Sequence, residues 1–176
     1  FELIFKAKNT EWGKKFHFSS IKNLADFKNN IPIQNYDSLK PYIDRIREGE
    51  QNILWESEIK WFAQSSGTTA GKSKFIPVSK ESLELCHYKG GKDLMSIYLN
   101  HFPNTEVLNG KSMMIGGSSS VNEYHAKSYY GDLSAIIIEN LPFWFSIVKT
   151  PSKEVALHPN WEEKIDRVFL VTIVAV

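Results

Sequence analysis

The stretch WFAQSSGTTAGKSKFIPVS, Trp61 to Ser79, sets a decapeptide of hydroxyls, glycines and lysines between two short apolar segments. Ile59, Trp61, Phe62 and Ala63 suit a buried strand, and Phe75, Ile76 and Val78 suit a second, which leaves Ser65 to Lys74 as the loop between them. Pro77 cannot donate to a ladder, so the second strand is expected to be short or at an edge. Gly67 and Gly71 let the backbone approach a ligand closely, and successive N–H groups can then form an anion-binding nest. Ser65, Ser66, Thr68, Thr69 and Ser73 add hydroxyls, while Lys72 and Lys74 add cations able to neutralise phosphate oxygens. The stretch reads as a phosphate cradle.

Two kinds of cradle compete. The Walker pattern needs four residues between its first glycine and its Gly-Lys pair, but only Thr68, Thr69 and Ala70 separate Gly67 from Gly71. A Walker lysine also stands where a helix begins, whereas Lys72-Ser73-Lys74-Phe75-Ile76-Pro77 reads as extended chain. A P-loop NTPase or kinase therefore stays as an alternative, set behind the second reading. That second reading rests on a longer string: Ser65 to Lys74 resembles the first core motif of the adenylate-forming superfamily, a Ser/Thr/Gly loop that ends in lysine. Three further blocks, AKNTEWGKKF (Ala7 to Phe16), LKPYIDRIREGEQNILW (Leu39 to Trp55) and YGDLSAIIIENLPFW (Tyr130 to Trp144), are similar with it to the auxin-responsive promoter protein family, the acyl acid amido synthetases, and to its bacterial-type members in particular. The four blocks occur in this order and together cover nearly the whole chain.

The resemblance implies an α/β fold, with residues 1–176 an incomplete N-terminal part of the large adenylate-forming domain and its phosphate-binding loop at 65–74 between two strands. It also implies a two-step ligase. ATP, with Mg²⁺, would activate a carboxylic acid as an acyl-adenylate, and an amine, typically an amino acid, would then attack to form an amide. A relative that ends in a coenzyme A thioester shares the first half-reaction and stays open as an alternative. Ser65, Ser66, Gly67, Thr68, Thr69, Gly71 and Lys74 match the motif and are the candidate nucleotide-binding residues, with Lys72 at a variable position. The family's later motifs, which would grip adenine and ribose and supply a metal ligand, are not in these residues. Catalytic residues and metal ligands are therefore unassigned, and the 176 residues alone are not expected to turn over ATP.

Composition bounds the partners. With 21 basic against 20 acidic residues the formal charge is +1, and the basic clusters are as short as Lys14-Lys15, so nothing recommends nucleic acid. The apolar run Phe169 to Val176 is far shorter than the roughly 20 residues that span a bilayer, so no membrane partner is expected; a cut through a buried strand or helix is the simpler account. A single cysteine, Cys86, excludes an internal disulfide and fits a reducing, cytoplasmic setting. Five histidines show no metal-ligand spacing.

Along the rest of the chain, Ser19 or Ser20 is expected to cap a helix with Ile21, Leu24 and Phe27 inward, and Asp37 or Ser38 to open another with Pro41 in its first turn. Leu39, Tyr42, Ile43 and Ile46 form that second helix's apolar stripe, Gly49 stops it, and Arg45, Arg47, Glu48 and Glu50 read as its solvated face. Ser79 is expected to cap a long helix burying Leu83, Cys86, His87, Leu94, Ile97 and Tyr98, with Gly90-Gly91 suggesting close packing or a nearby ligand. Ser112 to Ile115 reads as a short strand that empties into Gly116-Gly117-Ser118-Ser119-Ser120, more simply a turn than a phosphate contact. Leu133 to Asn140 suits a buried helix or strand, and Phe143, Trp144 and Phe145 are core or part of an acyl pocket. Asn160 can cap a last helix with Trp161, Ile165 and Val168 inward.

Overall fold

Thr10 shows how the chain opens. Its hydroxyl donates to the Ala7 carbonyl at 2.7 Å and accepts from the Gly13 amide at 2.9 Å, so one fully buried side chain closes helix α1 (Glu2–Ala7) and caps helix α2 (Glu11–Lys15). The computed structural model describes residues 1–65, 73–117, 122–125 and 128–174. They form two units, Phe1–Lys80 with Glu123–Tyr129, and Glu81–Asn122 with Tyr130–Val176.

In the first unit a 3-10 turn, Phe18–Ser20, leads to helix α3 (Leu24–Asn30). Its cap is Asn23 rather than Ser19 or Ser20. The Asn23 side chain accepts from the Asp26 amide at 2.9 Å, and the Asp26 carboxylate accepts from the Lys22 amide at 2.9 Å, while the Ser20 hydroxyl donates back to the His17 carbonyl at 2.8 Å. The expected inward face is also corrected: Ile21 is buried ahead of the helix, beside Ala7 and Phe18, while Leu24 and Phe27 are exposed.

Helix α4 (Tyr36–Arg47) begins two residues earlier than Ser38, because the Asn35 side chain accepts from the Ser38 amide, and Pro41 therefore lies in its interior. Ile43 and Ile46 are buried as the stripe requires, and Gly49, at φ 103°, turns the chain away. Arg45 pairs with Glu11 through both terminal nitrogens at 2.8 Å and with Glu50 at 2.6 Å, tying α2 to α4. Arg47 is not solvated. Its side chain is 11% exposed, and its guanidinium lies 3.7 Å from the Phe75 ring centroid and 4.1 Å from that of Tyr124.

The described strands are β1 (Trp61–Gln64), β2 (Phe75–Val78), β3 (Ser112–Met113), β4 (Asn122–Glu123), β5 (Tyr129–Gly131) and β6 (Lys149–Thr150). They make one sheet ordered β2-β1-β5-β4 and a parallel pair of β3 with β6. β1 and β2 are antiparallel, with Phe62 opposite Pro77 and Gln64 opposite Phe75. The proline strand is at the sheet edge, as its missing N–H demands.

In the second unit, helix α5 (Lys80–Ser82), a π-helical segment (Leu83–Tyr88) and helix α6 (Lys89–His101) run on as one rod. This corrects the expected face. Leu94, Ile97 and Tyr98 are exposed, as is Cys86. A π turn advances the chain less per residue than an α turn, so the six residues of that segment shift the phase of everything after them. The inward positions become Leu83, Tyr88 and Met95. Helices α7 (Leu133–Glu139), α8 (Phe143–Val148), α9 (Lys153–Ala156) and α10 (Trp161–Val174) complete the unit, with Ala135, Ile136, Ile138 and Ala156 fully enclosed. Asn160 accepts from the Glu163 amide at 3.1 Å and opens α10 as expected, but Trp161 is exposed, and the inward position one turn on belongs to Lys164.

Candidate functional site

The β1–β2 hairpin brings two of the seven candidate residues together. The Ser65 amide donates to the Lys74 carbonyl at 2.9 Å, and the Lys74 amide donates to Ser65 Oγ at 3.0 Å. These bonds continue the ladder by one pair and close the mouth of the loop. Ser65 Oγ spends a lone pair on that bond and keeps its own proton to donate. Ser66, Gly67, Thr68, Thr69 and Gly71 lie outside the described residues, as does Lys72. Residues 73 and 74 are not helical, β2 starts at Phe75, and the next helix starts at Lys80. A Walker loop would open straight into a helix, so this geometry goes against it.

Tyr36, which the sequence did not single out, and Arg47, which it placed on a solvated face, hold the first residue of β2. The Tyr36 hydroxyl accepts from the Phe75 amide at 2.9 Å and reaches the Phe75 carbonyl at 3.5 Å, and the Lys74 ammonium lies 5.4 Å from the Tyr36 ring centroid. Arg47 stacks on the Phe75 side chain, with its Nε buried and without a hydrogen-bond partner among the described residues. Tyr36 and Arg47 are the first and last residues of α4, so this helix holds Phe75 by its backbone at one end and by its ring at the other.

The second unit carries an apolar pocket of about 400 Å³, lined among others by Tyr88, Gly91, Met95, Leu108, Ile137, Leu141 and Phe145, with His87, Lys92 and Ser112 as polar neighbours. Tyr88, Gly91 and Met95 stand at i, i+3 and i+7 along the rod and so share one helical face. Apart from their chain neighbours and the backbone of their own helix, nothing lies within 4 Å of where a Cβ on Gly90 or Gly91 would stand, so no other element packs closely on these glycines, and Gly91 opens onto the pocket. Phe145 lines the pocket, while Phe143 is 84% exposed.

The Tyr88 hydroxyl donates to the Ile137 carbonyl at 3.2 Å, and burial, with Glu84 adding to it, pushes the phenol up to about 12. A raised folded value means that the neutral phenol favours the folded state fully below the ordinary value near 10, and that this contribution is lost between 10 and about 12. Ultraviolet tyrosinate titration is expected to show one late step near pH 12 that disappears in Tyr88→Phe. A variant that kept the step would remove Tyr88 from that position.

After β3 the chain meets Gly116 and Gly117, which are held by packing. A Cβ on Gly116 would sit 3.1 Å from Ile138 Cδ1, and one on Gly117 would sit 2.0 Å from Asp132 Oδ2. Ser134 Oγ accepts from the Gly117 amide at 3.0 Å, and the Lys164 ammonium donates to the Gly117 carbonyl at 2.7 Å. Lys164 is 1% exposed, and burial pulls its ammonium below the usual lysine range against the opposing pull of Asp132. Gly116 and Gly117 follow β3 as irregular chain, and Ser118 to Ser120 lie outside the described residues.

Comparisons with known proteins converge. Indole-3-acetic acid-amido synthetase GH3.2 of Arabidopsis thaliana is 37% identical over 84 residues, 47% of this chain and 15% of that protein. Jasmonoyl--L-amino acid synthetase JAR4 of Nicotiana attenuata is 36% identical over 109 residues, 59% of this chain and 18% of that protein. The structure of GH3.15 acyl acid amido synthetase superposes with a TM-score of 0.77 at 19% identity, over 98% of this chain and 30% of that one, which bears out the expected fold. The chain thus spans under a third of the length of the relatives it matches. The GH3 family N-terminal domain matches residues 1–173, and by that match, foreshadowed by the four sequence blocks, this chain belongs to the GH3 family.

Proposed function

We propose that this chain is the phosphate-holding and acid-holding part of an ATP-dependent ligase that joins a carboxylic acid to an amine, most simply an amino acid, through an acyl-adenylate. The observation that carries the reading is the hairpin end, where Ser65 closes the loop against Lys74 and the chain continues as a strand. A hydroxyl proton and an ammonium at the rim of a Ser/Thr/Gly loop fit phosphate oxygens, and the charge-assisted contact from Lys74 would be the stronger of the two. ATP would supply the leaving group that a carboxylate lacks. The chain's part is to hold the departing phosphates and to stabilise charge developing on them. Ser66, Gly67, Thr68, Thr69 and Gly71 belong to the same proposed site. Mg²⁺ is proposed together with ATP, where it would neutralise charge on the phosphate oxygens; among the described residues no group of three or more His, Cys, Asp or Glu is placed to hold a metal.

The apolar pocket of the second unit suits the body of the acid. Its volume of about 400 Å³ is within the range of small-molecule sites, and its lining from Met95, Leu108, Ile137 and Phe145 excludes water from an aromatic or alkyl group. Relatives are named for amido synthesis with indole-3-acetic acid and for jasmonoyl–amino acid synthesis, which supports an acid of that general size and an amino acid acceptor. Among the described residues no helix is long and apolar enough to cross a membrane. The proposed partners are small molecules rather than a membrane or nucleic acid, and the proposed cytoplasmic location rests on the single cysteine, Cys86.

The test is pyrophosphate release across a panel of carboxylic acids, in a protein of family length that contains this chain, followed by product analysis with amine and thiol acceptors. Acid-dependent release with amide product is expected. Release with thioester product alone would move the chain to the coenzyme A alternative, and phosphate release without any acid would sink the adenylation reading.

A further inference from the structure

An exposed lysine at the end of a loop has many rotamers, and ordering it on a ligand costs conformational entropy. Lys74 is exposed, yet its surroundings restrict it. Its backbone is fixed on one side by the two bonds to Ser65 and on the other by Phe75, whose outward amide and carbonyl are both met by the Tyr36 hydroxyl. Its ammonium rests over the Tyr36 ring at 5.4 Å, within the range of a cation–π contact. Tyr36 is itself pinned, because it is the first residue of a helix whose cap, Asn35, is satisfied by the Ser38 amide. One side chain therefore acts on both ends of Lys74.

We propose that Tyr36 is a positioning residue that holds Lys74 aimed at the phosphate site. It touches no phosphate in this reading. Its ring gives the ammonium a resting place while its hydroxyl fixes the peptide that carries the lysine, so less freedom remains to be lost when phosphate arrives. The inference rests on the phosphate reading of the Ser65–Lys74 loop. A role limited to covering the sheet edge would need only the hydroxyl and would be indifferent to which residue stands at 74.

Two measurements test it. In the chain itself, the Lys74 side-chain methylene protons next to the ammonium are expected to show an upfield ring-current shift by NMR, kept in Tyr36→Phe and lost in Tyr36→Leu. In a protein of family length, Tyr36→Leu is expected to lower kcat/KM for ATP by roughly 2- to 30-fold when Lys74 is present. In the Lys74→Ala background the same substitution is expected to add nothing. Equal losses in both backgrounds, or no loss in either, would overturn the inference while leaving the phosphate reading intact. A Lys74→Ala protein as active as the parent would overturn both.

Discussion

Lys74→Ala is expected to depress acid-dependent pyrophosphate release roughly 10- to 150-fold, whereas Lys72→Ala changes it only a few fold. The first figure follows from a charge-assisted contact of about 1.5–3 kcal/mol converted at about 1.36 kcal/mol per decade. The second follows because a solvated cation near phosphate acts only through long-range attraction, which salt screens. Rival cradles assign the contact to different lysines. The Walker pattern requires Lys72, directly after Gly71, but the chain leaves the loop as the strand Phe75–Val78, and the described residues 73–79 hold no helix before Lys80. Lys74 is the cation that this hairpin presents at its closing pair. Measured as kcat/KM for ATP with a saturating acid, the reverse order, with Lys72 dominant, would discard the assignment of the loop.

Gly13→Ala is expected to destabilise the first unit by at least the ~1–3 kcal/mol typical of overpacking. Helix propensity alone says the opposite, since alanine in a helix interior is better than glycine by about 1 kcal/mol. Sterics decide the sign here. A Cβ on Gly13 would stand 2.0 Å from the Ala7 carbonyl oxygen and 2.9 Å from two backbone carbons, and backbone cannot step aside as a flexible side chain can. Any shift would also strain the Thr10 hydroxyl, which bonds both Ala7 and Gly13. Gly90→Ala is the control, with open space around the added methyl, and it is expected to stabilise by up to about 1 kcal/mol. Denaturant midpoints for the two variants should move in opposite directions. A Gly13→Ala protein at or above the parent's midpoint would show that the α1–α2 corner relaxes freely.

The two strands that flank the loop were legible in the sequence because their signals are local. Apolar residues flank a polar decapeptide, and Pro77 marks an edge wherever it stands in a short strand. The stripe of α4 was equally plain, since Ile43 and Ile46 keep a helical spacing. Caps were less so, because several Ser, Asn and Asp residues compete within a few positions and the winner is set by which side chain reaches an amide three residues on. Asn23 prevails over Ser19 and Ser20 in this way, and Asn35 over Asp37 and Ser38. Arg47 was misread because its neighbours in sequence are charged, while its partners, Phe75 and Tyr124, come from distant segments. The long helix was misread from Cys86 onward because an unbroken helical period was assumed through the π segment Leu83–Tyr88. Lys164 carried a usable signal, falling on the same face as the buried Val168 one turn later, but lysine is seldom expected on an inward face.

The edge strand β2 has one more property. A strand at the rim of a sheet ordinarily offers free N–H and C=O groups to any extended chain, which invites strand addition and aggregation. In β2 the pairing of Lys74 with Ser65 fixes which residues face β1, and by the alternation of an antiparallel ladder Phe75 and Pro77 are the ones that face outward. The Phe75 amide is taken by the Tyr36 hydroxyl, and Pro77 has no amide hydrogen. The outward side of β2 therefore presents no free donor to a foreign strand, so the hairpin that carries the phosphate loop resists recruitment into a growing sheet.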